Sequence, residues 1–293
     1  METNKRPMGN EMANAIAQDW IVQLTAIVEE AGAAILEIYN TDFAVQTKGD
    51  DSPLTQADLA AHRVIVAGLE ALSPQIPIIS EESAPPPFAE RTTWQRYWLV
   101  DPLDGTKEFV NRNGEFTVNI ALIDGSEPVF GIVGVPVQEK VYVGDVRQTN
   151  PDQRAYVLHK GESQPLQVQR QRERQGPIRV VASRNHGGER LEAYLSEVEA
   201  RFAGCERTPV GSSLKLCVLA EGGADIYPRL GLTSEWDIGA AQAVLTAAGG
   251  GVYTQDGAVL PYNTKDSLLN PEFLAVADGS YPWIEELPSF PEK

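Results

Sequence analysis

The 293-residue chain has few of the residues that staple small folds or bind soft metals. It has two cysteines, Cys205 and Cys217, too few for a disulfide scaffold. Its three histidines, His62, His159 and His186, are too scattered to read as a zinc cluster. No stretch approaches the roughly 18 consecutive apolar residues of a spanning helix. Residues 1–13 are polar and lack the apolar core of a secretory signal, so a cytoplasmic location is expected. Positive charge is also short: 24 Lys and Arg against 41 Asp and Glu give a net charge of −17. Such a field repels a polyanion and argues against nucleic-acid partners. A small phosphorylated ligand stays possible if local bases or metal ions reverse the sign of the field. A hydrophobic content of 42% excludes disorder over the whole chain.

Ile16, Trp20, Leu24, Ile27, Val28, Ala31, Ile35 and Ile38 recur at steps of three and four and predict a long amphipathic helix. A turn-forming run, Lys48-Gly-Asp-Asp-Ser-Pro, follows, and a second helix is expected from about Thr55. Pro77-Ile-Ile reads as a buried strand leading to Glu81, and Trp98-Leu-Val as another ending at Asp101. Strands over 116–123, 128–135, 139–146 and 155–158 predict an antiparallel meander. The polar run 167–176 is the expected subdomain boundary. Beyond it, strands at 178–182 and 224–227 alternate with helices around 191–198, 213–220 and 237–248, an α/β pattern. A hairpin is expected around Asp256-Gly257, and the last dozen residues, rich in proline, read as peripheral.

The strongest local signal is Asp101-Pro-Leu-Asp-Gly-Thr-Lys-Glu-Phe. An apolar strand delivers Asp101, Pro102 should turn the chain, and Asp104 follows close enough to share a ligand. Gly105 permits close backbone approach and Thr106 can cap a following helix. Backbone N–H groups there could hold an anion, and a divalent cation would reconcile that anion with the two carboxylates. Glu81 and Asp237 stand at comparable places, and the Leu103 carbonyl adds another hard oxygen, a set suited to Mg²⁺. The same residues would also make an Asp-rich turn, a helix cap and a solvated loop acid. Thr55-Gln-Ala-Asp58 has the form of a capping box, or Asp58 holds a catalytic water.

Four separated motifs then carry a resemblance. Asp101-Pro-Leu-Asp-Gly-Thr, Trp236-Asp237-Ile-Gly-Ala-Ala, Ser80-Glu-Glu-Ser and Ser52-Pro-Leu-Thr-Gln-Ala-Asp58 resemble the signatures of the lithium-sensitive, magnesium-dependent phosphatases of the inositol monophosphatase superfamily. Trp94-Gln-Arg-Tyr-Trp-Leu-Val, Lys107-Glu108, Arg112-Asn-Gly-Glu-Phe-Thr-Val-Asn-Ile-Ala-Leu-Ile, Gly211-Ser-Ser-Leu-Lys and Tyr227-Pro-Arg are similar to its bacterial CysQ-type 3'(2'),5'-bisphosphate nucleotidase branch. The likeness runs from about Trp20 to Phe273.

The resemblance implies a mixed α/β fold, a layered αβαβα sandwich. It would have an α+β part over residues 1–165 with most metal ligands, and an α/β part over 166–293 with the nucleotide contacts and Asp237. It implies hydrolysis of the 3'-phosphate of adenosine 3',5'-bisphosphate to AMP, with the related phosphosulfate as a further substrate, in the setting of sulfate assimilation. Two or three Mg²⁺ ions would be held by Glu81, Asp101, Asp104, Asp237 and the Leu103 carbonyl. Asp58 and Thr106 would orient and deprotonate the attacking water. Gly105 and Thr106 would hold the phosphate through their backbone. Ser183, His186, Gly211 and Lys215 match nucleotide contacts, and Glu81, Leu103, Asp104 and Asp237 also border the substrate. Arg184 and Arg229 are further candidates for the second phosphate. Glu235 is expected to add charge near the metal site. Other readings are activity on inositol phosphates or fructose 1,6-bisphosphate, or a non-catalytic phosphonucleotide-binding protein. The branch leaves room for peripheral association with the inner membrane, although no basic amphipathic helix demands it. Oligomeric state is not encoded in these motifs.

Overall fold

The computed structural model describes residues 16–41, 52–170, 176–183 and 188–292. Helix α1 (Gln18–Tyr39) buries the predicted stripe, including Leu24, Val28, Ala31 and Ile35. Helix α2 (Pro53–Leu72) packs beside it. The expected cap at Thr55 and Asp58 is displaced: Ser52 is the cap, its Oγ accepting the Thr55 N–H at 3.2 Å. Pro53 at the first helical position lacks an N–H that would otherwise need a partner, which favours the earlier start.

The two helices cover one face of a seven-stranded sheet. Its strands lie in chain order: β1 (Ile78–Ser80), β2 (Arg96–Asp104), β3 (Thr117–Asp124), β4 (Glu127–Val135), β5 (Lys140–Asp145), β6 (Ala155–His159) and β7 (Glu162–Pro165). Only β1 and β2 are parallel; from β2 onward the expected meander holds. One-turn helices α3 (Phe88–Arg91), α4 (Thr106–Val110) and α5 (Pro151–Arg154) lie in its connections. Strand β2 does not end at Asp101, as expected, but runs through Pro102 to Asp104 with a register shift against β3. The shift absorbs the missing proline donor. Both aspartates therefore stand on a strand rather than a turn.

A second sheet, ordered β11-β12-β10-β8-β9, contains β8 (Ile178–Ala182), β9 (Cys205–Pro209), β10 (Ile226–Arg229), β11 (Gly251–Thr254) and β12 (Phe273–Val276). Helices α7 (Leu214–Ala220) and α8 (Glu235–Ala248) lie between the sheets, and α6 (Gly188–Arg201) and α9 (Trp283–Glu286) cover the outer face. This is the five-layer αβαβα sandwich.

Helix α8 is apolar around its circumference because it faces a sheet on either side. Its approach to the first sheet is backbone to backbone. A Cβ added at Gly131 would lie 2.0 Å from the Ala240 carbonyl oxygen, and one at Gly144 2.4 Å from Val244 Cα. The C-terminal segment is not peripheral as expected. Trp283 and Leu287 are buried in the outer core, and Phe290 meets Tyr194 edge-on at 5.0 Å. Among the described residues no helix is long and apolar enough to cross a membrane.

Candidate active site

A cleft of about 260 Å³ opens where β2, α4, α7, β10 and α8 converge. Glu81 reaches it from the end of β1, Asp101 and Asp104 from the end of β2, and Asp237 from the first turn of α8. Carboxylate oxygens of Glu81, Asp101 and Asp237 all lie within 4.8 Å of one another. Each aspartate is fixed by a backbone donor. Asp101 Oδ1 accepts the Leu103 N–H at 3.0 Å, and Asp237 Oδ2 the Ser234 N–H at 2.9 Å. Asp104 Oδ2 accepts the Ser213 N–H. Asp237 thus caps its helix with one oxygen and still presents a carboxylate to the cleft. Leu103 also lines the cleft, while its side chain packs among the α1 and α2 residues.

Among the described residues, Lys215 and Arg229 oppose the rise in these acids' pKa values without cancelling it. Burial first, then Asp104, Glu81, Asp237 and Asp58, hold the Asp101 carboxyl well above the usual range. Burial and Asp237 push Asp104 up to about 7, against the opposing pull of Lys215 and the Ser213 N–H. Burial and Glu81 raise Asp237 to about 6 despite the Ser234 N–H, Arg229 and Lys215. Desolvated carboxylates that repel one another are stabilised by a cation, and an all-oxygen donor set is the kind that Mg²⁺ takes. The residues present therefore fit such an ion.

Gly105 and Thr106 line the cleft beside the acids. Gly105, not Thr106, is the residue that caps α4: its φ of 96° lies in the left-handed region, where glycine is favoured. Its Cβ would also fall 3.1 Å from Phe116 Cα and 3.2 Å from Ser212 Cβ. Asp58, buried on α2, is outside the lining, yet its charge is felt at Asp101.

Two bases share the cleft with the acids. Lys215 is buried, with Nζ donating to the Ser212 carbonyl at 2.7 Å and the Val210 carbonyl at 3.3 Å. Burial lowers it to about 8, and Asp104 resists the shift. An ammonium has three donors, so one remains for the cleft. Arg229, at the end of β10, donates Nε to the Gly231 carbonyl at 3.1 Å and Nη2 to the Leu232 carbonyl at 2.7 Å. It lines the cleft with Ser183. His186 and Arg184 lie outside the described residues.

Two placements differ from expectation. Gly211 does not line the cleft. Its N–H donates to Glu115 Oε2 at 2.8 Å, and a Cβ there would lie 2.4 Å from Glu108 Cγ. The glycine thus lets the Glu108 side chain lie across it at the cleft wall. Glu235 adds no charge to the cleft lining either: its carboxylate is buried and accepts the Asn263 N–H at 2.9 and 3.0 Å. Residues two apart on an α-helix point about 200° apart around its axis, which separates Glu235 from Asp237. Ser212, Tyr227 and Thr233 also line the cleft and were not singled out from sequence. The first two lie inside matched motifs, which was the available signal.

Comparison with known proteins points the same way. The model of the inositol monophosphatase family matches residues 17–281. A 3'(2'),5'-bisphosphate nucleotidase CysQ of Salmonella typhimurium is 45% identical over 253 residues, 86% of this chain and 97% of the relative. One of Buchnera aphidicola is 38% identical over 268 residues, covering 90% and 96%. A crystal structure of CysQ from Bacteroides thetaiotaomicron, described as a bacterial member of the inositol monophosphatase family, superposes with a TM-score of 0.79. It is 37% identical and covers 90% of this chain and 98% of its own. An inositol monophosphatase from Zymomonas mobilis, 22% identical over 92% and 95% of the chains with a TM-score of 0.70, shares the fold.

Proposed function

The chain belongs to the inositol monophosphatase family, and from that premise we propose that it is a Mg²⁺-dependent 3'(2'),5'-bisphosphate nucleotidase. It hydrolyses the 3'-phosphate of adenosine 3',5'-bisphosphate to AMP and phosphate, with the corresponding phosphosulfate as a second substrate. The observation that carries this reading is the make-up of the cleft: clustered carboxylates that suit a divalent cation, with the buried Lys215 and Arg229 in the same lining. Such a cleft suits a substrate with two phosphates.

Glu81, Asp101, Asp104, Asp237 and the Leu103 carbonyl would hold two or three Mg²⁺ ions. When bound there, Mg²⁺ would supply positive charge for a phosphate and for a water ready to lose its proton. Asp58 receives the proton and the Thr106 hydroxyl orients the water. The N–H groups of Gly105 and Thr106 receive phosphate oxygens. The remaining Lys215 donor and the Arg229 guanidinium bind the 5'-phosphate. Ser183 and His186 contact the nucleoside, and Gly211 shapes the wall through Glu108. Most of the rate enhancement then comes from positioning and charge.

The test is phosphate release in Mg²⁺ from adenosine 3',5'-bisphosphate, inositol 1-phosphate and fructose 1,6-bisphosphate. The nucleotide is expected to be strongly preferred, and Asp104→Asn to lower kcat on the order of a thousandfold. Preference for a sugar or inositol phosphate would overturn the substrate assignment. Nucleotide binding without turnover would leave a phosphonucleotide-binding protein.

A further inference from the structure

Behind Asp104, three buried polar side chains close on one another. Ser213 Oγ donates to Asn119 Oδ1 at 2.6 Å. A hydroxyl carries one proton, so that bond commits it. In the 2.9 Å contact between the Thr117 and Ser213 hydroxyls the donor is therefore Thr117. Asn119 Nδ2 in turn donates to Thr117 Oγ1 at 3.1 Å. The three bonds run head to tail around a ring, an arrangement in which each bond polarises the next. None of the three residues is more than 2% exposed.

The sheet register puts this ring beside the acids. Thr117 pairs with Asp104 across β2 and β3, and Asn119 pairs with Asp101. Directly opposed residues present their side chains on the same face. Thr117 and Asn119, two apart on β3, thus flank the acids on the face that meets the start of α7. Ser213 belongs to that start, and its N–H holds Asp104 Oδ2. The ring spends the Ser213 hydroxyl on β3 and leaves its amide aimed at Asp104.

We propose that the Thr117–Asn119–Ser213 ring is a positioning device for Asp104: it pins the Ser213 amide on one Asp104 oxygen and so sets how tightly the acid cluster takes a divalent cation. The proposal rests on reading the cluster as a cation site. Partners of metal-ligating carboxylates commonly contribute ten- to a hundredfold to metal affinity. A merely structural ring would contribute to Tm alone.

The experiment titrates Mg²⁺ alone into the full chain and follows Tm. The variants are Thr117→Val, which keeps the shape and removes a hydroxyl, Ser213→Ala, and the conservative Thr117→Ser. The half-saturating Mg²⁺ concentration is expected to rise about tenfold in Thr117→Val and Ser213→Ala and to stay near wild type in Thr117→Ser. Should Thr117→Val fail to fold, Ser213→Ala carries the comparison. A lowered metal-free Tm with an unchanged Mg²⁺ midpoint would overturn the positioning role alone. A wild-type Tm indifferent to Mg²⁺ would overturn the cation reading beneath it.

Discussion

The acids and the bases of the cleft are built in opposite ways. Lys215 and Arg229 are satisfied by carbonyls two to five residues away in sequence, those of Ser212, Val210, Gly231 and Leu232. The acid cluster joins Glu81, Asp101 and Asp237 from β1, β2 and α8. Local geometry suffices for the bases, whereas the acids depend on how α8 seats on the first sheet. The acid cluster also opposes its own assembly, since its members raise one another's pKa. Its geometry has to be imposed by packing and then relieved by a cation.

A glycine under α8 and a glycine beside Arg229 should separate these modes of construction most sharply. Gly131→Ala drives a methyl into the α8 backbone, 2.0 Å from the Ala240 oxygen. It is expected to cost about 3 kcal/mol in urea denaturation and to weaken Mg²⁺ binding through Asp237. Beside Arg229, a Cβ on Gly231 meets nothing nearer than 3.8 Å. Gly231→Ala is expected to be neutral or stabilising by about 0.5 kcal/mol through the unfolded chain. Equal losses from both would break the contrast.

A change at Lys215 should act on one substrate feature. Lys215→Met is expected to raise KM for adenosine 3',5'-bisphosphate about thirtyfold, the scale of a lost charged hydrogen bond. KM for adenosine 3'-monophosphate should change less than about threefold. Steady-state kinetics with the pair of substrates decides, and parallel losses would remove Lys215 from the second phosphate.

Protons supply the mildest probe. Folded-state values of about 7 for Asp104 and about 6 for Asp237 lie above the ordinary carboxylate value near 4. At these two groups the folded chain therefore binds more protons than the unfolded chain in that window. Without divalent cations its stability should fall as pH rises from about 4 through about 7. Lys215, lowered to about 8, carries a nearly constant penalty well below that pH and does not mask the trend. A Tm decrease of about 5 °C between pH 5 and pH 8 in chelator is expected, largely reversed by Mg²⁺. A flat profile in chelator would deny that burial and the neighbouring carboxylates raise these acids.

Asp101 and Glu81 are legible in sequence because each follows a short apolar strand, and Asp237 because it opens an Ala-rich helix after Trp236; the four motifs in order, through the resemblance, join them into one site. The long stripe of α1 and the meander were legible because one buried face leaves a period. Strand β7 was not, since all of its residues are exposed. Strand β9 likewise carries no apolar alternation. Strand β12 is apolar on both faces and shows no period either. The path of β2 through Pro102 depends on a register shift against β3, and the direction of Glu235 on the distant Asn263. Neither dependence is local, so neither could be read along the chain.

The glycine contacts of α8 bear on fluctuation as well as geometry. A helix packed between two sheets, its backbone touching the first at Gly131 and Gly144, has no loose layer along which to peel away. Its amides should open to solvent only when the whole molecule does. Asp237 then rides on one of the slowest-breathing parts of the fold, and a ligand leaving the cleft must escape past the shorter elements, α4 and the start of α7, on the opposite wall.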